Sequence, residues 1–278
     1  MRYTVQSGKY IVKNFFYIVP FALLPAFFLS LSTDVEAIRC LLESIFSGNL
    51  GKIHFEHIFR SISILNFSTL KSVGAGLVGI IVLVLCVAMM MALLEKHLRI
   101  GKRTYNGVFS KLNDNLISTC GYGFLLLVIY ELWALIISLL LFWVSRIPVV
   151  GLAYTLAVIV YFLMHALLIY LIGVIYLWLP CMQITGFPML EALNYSYQLM
   201  SPVQWHITLG QLTFLFVAEG IVCLCAWFAG GLALFTVLTT LLYAFLIMLY
   251  CVRMQIVYFD RDHITRADNA RYSRYYRD

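Results

Sequence analysis

The chain has 278 residues, of which 63% are hydrophobic and 12% charged, with a net charge of +6 and a mean hydropathy of +0.92. Soluble domains cover their surfaces with about 25% charged residues, so this composition excludes a soluble globular domain and predicts a protein whose solvent is lipid. We interpret the positive charge as a marker of the cytoplasmic side of the protein, and we do not expect nucleic acid as a partner.

The apolar residues come in continuous runs, which predict helices rather than the alternating strands of a membrane barrel. At about 20 residues per span, these runs predict an all-α polytopic protein with six transmembrane helices in a single membrane domain, 1–278. The predicted spans cover 15–31, 73–94, 121–144, 149–179, 207–228 and 232–252.

The first predicted span is followed by the one sizeable segment between spans that lies outside the cytoplasm, 33–72. Thr33 and Glu36 fit a capping box at the start of a helix, and two amphipathic patterns follow. We expect a helical pair that either rests on the membrane surface or covers the bundle, and a docking site for a partner is a further interpretation. His54 and His57 resemble a fragment of a metal site without the further ligands, so we predict no metal and no other cofactor.

Three stretches of the chain look alike, beginning near Tyr3, Tyr105 and Leu190. Each starts with an amphipathic pattern and continues into an outgoing span, which a returning span then follows. This predicts three helical hairpins of equal direction, each preceded by an amphipathic helix in the cytoplasmic interface.

The fourth predicted span is too long for a single crossing. A helix from Pro148 to Pro180 would measure about 50 Å, against about 30 Å of hydrocarbon. The segment must therefore tilt, project beyond the bilayer, or bend near Gly151 or Gly173.

The basic residues predict the orientation of the chain. Most of the Lys and Arg residues lie before span one, between spans two and three, or after span six. The positive-inside rule then places both termini, including the tail 253–278, in the cytoplasm, with the protein in the plasma membrane. Candidate contacts with a cytoplasmic partner or with anionic lipid are Lys102, Arg103, Lys111, Arg266, Arg271 and Arg274.

Three ionisable residues lie deep within predicted spans: Glu131, His165 and Glu219. Both glutamates lie at similar depth in outgoing spans, and an ionisable side chain there is expected to face protein or water rather than lipid. Together the three form a candidate intramembrane polar cluster. It could relay protons or cations, or it could only hold the helices in order through hydrogen bonds.

Two short stretches carry a resemblance to known proteins: "EALNYSYQLMSPVQWHITLGQLTF" before span five and "QIVYFDRD" after span six. They are similar to bacterial six-helix polytopic families of uncharacterised function. Those families are related to the membrane domain attached to some glycerophosphodiester phosphodiesterases. The catalytic domain of those enzymes is absent, so the resemblance implies the membrane fold and no catalytic residues.

The sequence contains no phosphate-binding loop, nucleophile elbow, dinucleotide fingerprint or paired CxxC motif. We therefore assign no catalytic or cofactor-binding residue and expect a non-enzymatic component of a transport or membrane-assembly system. Its expected partners are the bilayer and other membrane or membrane-associated proteins, an ATPase among the candidates. Two alternatives remain: a permease subunit of an export-type ABC transporter, whose 104–118 helix would contact a separate ATPase, and an intramembrane lipid-modifying enzyme.

Overall fold

The computed structural model describes residues 2–65 and 68–268. Within them the protein is all-α, and six helical segments are long and apolar enough to cross a membrane, which confirms the predicted polytopic class. The helices are α1 Arg2–Ser32, α2 Val35–Phe46, α3 Phe55–Ile62, α4 Leu70–Ile100, α5 Val108–Ser145, α6 Val150–Val174, α7 Trp178–Thr185, α8 Met189–Met200, α9 Gln204–Phe228 and α10 Leu232–Arg261, with a 3-10 turn at Leu50–Lys52.

The long helices pack as a ring in the order α1, α4, α5, α6, α9, α10, and α10 returns to α1. The contacts of α1 with α10 and α4 are the most extensive, and the largest apolar core lies along them. Arg2 at the start of α1 lies 3.4 Å from Asp260 near the end of α10. The start of α1 and the end of α10 therefore lie on the same side of the ring. We call this side the terminal face and the other side the opposite face.

Helix α1 is broken at Asn14, whose backbone angles (φ −120°, ψ 21°) are not helical. The Asn14 side chain satisfies the local backbone by donating to the carbonyl of Tyr10 at 2.9 Å, and it accepts from Nε of Arg103 at 2.7 Å. The break separates an initial amphipathic part from the span.

The other two predicted amphipathic stretches differ from each other. The third is a helix of its own, α8, separated from α9 by a short turn. The second continues into α5 without interruption, and α5 is therefore 38 residues long. Between positions 108 and 121 the sequence has no proline to stop the helix, so the backbone hydrogen bonds continue.

The overlong fourth segment bends directly after Gly173, one of the two glycines at which a bend is predicted. Helix α6 ends at Val174, and α7 begins at Trp178 after a short turn. Most of α7 is buried at the terminal end of the ring. Pro180 is tolerated because it lies in the first turn of α7, where its missing N–H has no helical partner.

Helices α2 and α3 form the helical pair predicted in segment 33–72, and they cover the opposite face. The residue that caps α2 is Asp34, which accepts from the backbone N–H of Ala37 at 3.0 Å, and not Thr33 as predicted. Thr33 instead donates to the carbonyl of Leu29 in α1 at 3.1 Å. Because α1 extends through Ser32, Asp34 is the first residue placed to cap the next helix.

Charged side chains fix this helical pair to the ring. Arg60 of α3 donates to Asp34 through Nε at 2.9 Å and Nη2 at 2.6 Å. Arg39 of α2 donates to the carbonyls of Ala226 and Ala229 at 2.6 and 2.5 Å. Those carbonyls lie at the end of α9 and have no partner within that helix, so Arg39 caps α9 from outside.

Candidate functional site

The best-defined polar centre within the spans joins α6 to α9. Nε2 of His165 lies 2.9 Å from Oε1 of Glu219, and the hydroxyl of Tyr161 donates to Oε2 of the same carboxyl group. Tyr161 and His165 are four residues apart on α6 and therefore lie on one face. We call Tyr161, His165 and Glu219 the α6–α9 centre.

The hydrogen bonds of His165 determine where its protons are. Nδ1 lies 2.7 Å from the carbonyl oxygen of Tyr161, which only accepts, so Nδ1 carries a hydrogen. The contact between Nε2 and the Glu219 carboxyl group then needs one more proton. That proton lies on nitrogen, giving an imidazolium–carboxylate pair, or on oxygen, giving a neutral imidazole and a carboxylic acid. The α6–α9 centre therefore holds one shared proton in either form.

Aromatic rings enclose the histidine side of this centre. The ring of Trp133 meets the imidazole edge-on at 4.8 Å between centroids, and its Nε1 donates to the carbonyl of Met164 at 2.7 Å. Phe216 lies 5.4 Å from the imidazole. The side chain of His165 is 1% exposed, whereas that of Glu219 is 34% exposed. The Glu219 side chain is thus the less buried of the two.

Both partners lie well inside their helices. At 1.5 Å per residue, His165 is about 22 Å from the start of α6 and Glu219 is about 13 Å from the end of α9. Such positions within apolar helices are unfavourable for isolated charges. The shared proton lowers this cost because the pair carries no net charge in either form.

Glu131, the third residue of the predicted cluster, makes its hydrogen bonds elsewhere. Its carboxylate accepts from the hydroxyl of Ser63 at 2.7 Å and from the backbone N–H groups of Ile64 and Leu65 at 2.9 and 3.2 Å. The adjacent Tyr130 donates to the carbonyl of Ile62 at 2.8 Å. Glu131 therefore binds the loop that follows α3, and the structure joins only His165 and Glu219 of the predicted three.

Several predicted partner-contact residues are engaged within the chain. Arg103 donates to Asn14 and to the carbonyl of Lys13 at 2.9 Å. Lys111 lies 3.1 Å from Glu95, and Arg266 lies 2.8 Å from Asp268. Arg103 and Lys111 thus join different elements of the terminal face, whereas Arg266 pairs within its own segment. Lys102 lies in the turn between α4 and α5, and Arg271 and Arg274 are outside the described residues.

Tyr161, which belongs to the centre, and Trp133, which packs against His165, were not predicted from the sequence. Tyr161 could have been found, since it lies one helical turn before His165 and offers a hydroxyl on the same face. Trp133 carries no such signal, because an apolar aromatic residue in a span is ordinary. Among the described residues, no group of three or more His, Cys, Asp and Glu side chains is arranged to hold a metal ion.

No family model, curated protein or solved structure matches this chain. Inferences about its function therefore depend on the geometry of its own residues.

Proposed function

We propose that this integral membrane protein is a component of a transport system and that its α6–α9 centre binds and releases a proton during transport. The observation that carries the proposal is the contact between His165 Nε2 and Glu219 Oε1, which requires a shared proton inside two apolar helices. A purely structural hydrogen bond between α6 and α9 is the alternative, and the experiment below separates the two roles.

The packing of α9, the helix that carries Glu219, supports a movement of this helix relative to α6. In its most apolar stretch 17% of the residues are buried, compared with 44% in α4. Weakly buried elements are the ones that open most readily. A movement of α9 relative to α6 separates Glu219 from His165 and so breaks the contact that holds the proton, which couples helix position to proton transfer.

Partners remain part of this proposal. The sequence predicts them on the cytoplasmic side, and exposed Lys102 in the turn between α4 and α5 is available to them. The stretch 104–118 does not form a separate coupling helix, since α5 begins at Val108 and runs through Ser145. No observation favours the lipid-modifying alternative over transport.

Proton movement in reconstituted vesicles tests the proposal. Proteoliposomes loaded with a pH-sensitive dye would receive a potassium diffusion potential and a mixture of amino acids, sugars and inorganic ions, since the cargo is unidentified. We expect the interior of the proteoliposomes to acidify faster than the interior of protein-free vesicles. Glu219→Gln should remove this excess, because glutamine cannot titrate. Glu131→Gln, which alters a partly buried carboxylate outside the centre, should retain it.

The opposite results would contradict the proposal. If the wild-type protein conducts no more protons than protein-free vesicles, or if Glu219→Gln conducts as wild type does, the centre does not handle protons. A Glu219→Gln protein with normal proton flux and a lower unfolding temperature would assign the pair a structural role.

A further inference from the structure

The end of α9 nearest Glu219 is held by a helix outside the ring. Nε and Nη2 of Arg39 in α2 donate to the carbonyls of Ala226 and Ala229 at 2.6 and 2.5 Å. Those carbonyls lie at the negative end of the helix dipole of α9, where a cation is favoured. Arg39 therefore binds α9 through its charge as well as through two hydrogen bonds.

Apolar side chains of α2 extend this contact. Val35 and Ile38 are buried in one cluster with the end of α9 and the start of α10. At the other end of α2, the ring of Phe46 meets that of Trp227 edge-on at 5.4 Å between centroids. These positions of α2 recur at helical spacing, so an apolar face of α2 lies against α9 in addition to the contact made by Arg39.

The same helical pair is anchored on the histidine side of the α6–α9 centre. Arg60 of α3 forms a salt bridge with the residue that caps α2, which joins the two helices. Phe59 and Ile62 of α3 pack against a cluster of α5 and α6 that contains Trp133, whose ring meets that of His165. The pair thus contacts the helices around the histidine through α3 and the helix of the glutamate through α2.

Two helical turns separate the contact with α2 from the carboxyl group of Glu219. Ala226 follows Glu219 by seven residues, which is about 10 Å along the axis and nearly the same face of α9. The contacts of α9 with α2 are nearly as extensive as its contacts with α6. Since α9 is the least buried of the six spans, the contact with α2 is a large part of what holds this helix in place.

We infer that α2 and α3 form a clamp that holds α9 against α6 and keeps Glu219 in contact with His165. Release of Arg39 from the end of α9 frees that helix to move away from α6, and the pair then separates. Because both helices of the clamp lie on the opposite face, a centre within the spans is controlled from the surface. The inference rests on the proposed function in one respect, since the clamp regulates transport only if the proton of this pair takes part in it.

Hydrogen–deuterium exchange of the full chain in detergent tests the clamp. Arg39→Met removes both hydrogen bonds and keeps an apolar stem. Exchange at the amides of 219–228 should become about tenfold or more faster, since the loss of a charge-assisted hydrogen bond favours opening by that factor. Arg39→Lys keeps a cationic donor at the end of α9 and should exchange at an intermediate rate. Exchange in α1 and α4 should stay as in wild type, which separates release of α9 from general unfolding.

Chemical labelling of carboxyl groups reports on the pair itself. Dicyclohexylcarbodiimide is an apolar reagent that reacts with protonated carboxyl groups. A Glu219 side chain that has left His165 carries a proton, because an isolated carboxylate in apolar surroundings is unfavourable. We therefore expect Glu219 of Arg39→Met to be labelled severalfold faster than in wild type, as measured by mass spectrometry. Labelling of Glu131, whose hydrogen bonds do not involve α9, should not change.

Arg146→Met is the matched control for Arg39→Met. Arg146 also lies on the opposite face and donates to a backbone carbonyl, that of Gly51 at 3.0 Å, but this carbonyl precedes α3 and lies outside α9. The clamp would be overturned if exchange at 219–228 in Arg39→Met equals that of wild type or Arg146→Met, or if exchange is faster and labelling of Glu219 is unchanged. Neither readout depends on proton flux. Vesicles without flux would therefore contradict the proposed function, while exchange and labelling still decide the clamp.

Discussion

Nε2 of His165 lies 2.9 Å from Oε1 of Glu219, and this contact joins α6 to the least buried of the six spans. The His165 side chain is enclosed, while the Glu219 side chain is one-third exposed. The two partners therefore meet different surroundings, although they share one proton. This asymmetry makes Glu219 the residue whose substitution is most informative.

Replacing Glu219 by glutamine should leave stability within about 1 kcal/mol of wild type. The amide can still accept from Tyr161 and can donate to Nε2 of His165, so both hydrogen bonds persist. Glu219→Ala removes both and leaves two buried polar groups without partners, which should cost about 2–4 kcal/mol. Chemical or thermal unfolding in detergent measures the difference.

The control for these two variants of Glu219 is Glu191→Ala in α8. The side chain of Glu191 is exposed, so we expect a small change in stability. Glutamine and alanine variants of Glu219 with equal stability would show that the hydrogen bonds to His165 and Tyr161 contribute little to the fold.

Glu131→Ala should release the loop after α3. The carboxylate accepts from Ser63 and from the N–H groups of Ile64 and Leu65, and each such bond to a charged group contributes about 1.5–3 kcal/mol. Hydrogen–deuterium exchange at Ile64 and Leu65 should accelerate strongly, with little change in α10. Unchanged exchange at both amides would show that other contacts hold the loop.

The sequence predicts the six long apolar helices because lipid imposes a strong constraint: a continuous apolar run of about 20 residues crosses a bilayer only as a helix. The length of the fourth run exceeds one crossing and therefore predicts a tilt, a projection beyond the bilayer, or a bend near Gly151 or Gly173. The structure has the bend after Gly173. The meeting of His165 with Glu219 follows the expectation that buried ionisable groups face protein and one another.

The partners of Glu131 could not be predicted in the same way. Two glutamates at similar positions in similar segments suggest equivalent roles, but the loop at Ile64 reaches only one of them. That loop belongs to a segment whose placement depends on long-range contacts such as Arg39 with the end of α9. The environment of Arg253 is equally hidden: the residue is 3% exposed, and no salt bridge among the described residues includes it.

Glycines of α4 provide a test of close packing with an internal control. A Cβ atom at Gly76 would lie 2.9 Å from the carbonyl oxygen of Ile64, whereas nothing lies within 4 Å of one at Gly74. Gly76→Ala should therefore destabilise the protein by about 1–3 kcal/mol through overpacking. Gly74→Ala should be neutral or stabilise by up to about 1 kcal/mol through helix propensity. Similar unfolding temperatures for both variants would contradict the close approach of the loop to α4.

High pH should weaken the contact between α8 and the end of α10. The hydroxyl of Tyr195 donates to Asp262. That hydrogen bond, then burial and the negative charge of the carboxylate, raises the pKa of Tyr195 from 10.0 to about 12. The folded protein thus binds the phenolic proton more tightly than the unfolded chain. The resulting stability is fully present below pH 10 and is lost as the pH rises through 12.

The difference in unfolding temperature between wild type and Tyr195→Phe isolates this contribution from the other groups that titrate at high pH. We expect wild type to be the more stable at pH 9 and its advantage to shrink between pH 10 and pH 12. Tyr197→Phe is the matched control, because Tyr197 is on the same helix and is 52% exposed. A difference between wild type and Tyr195→Phe that stays constant from pH 9 to pH 12 would show that the phenol–carboxylate bond does not stabilise the folded state.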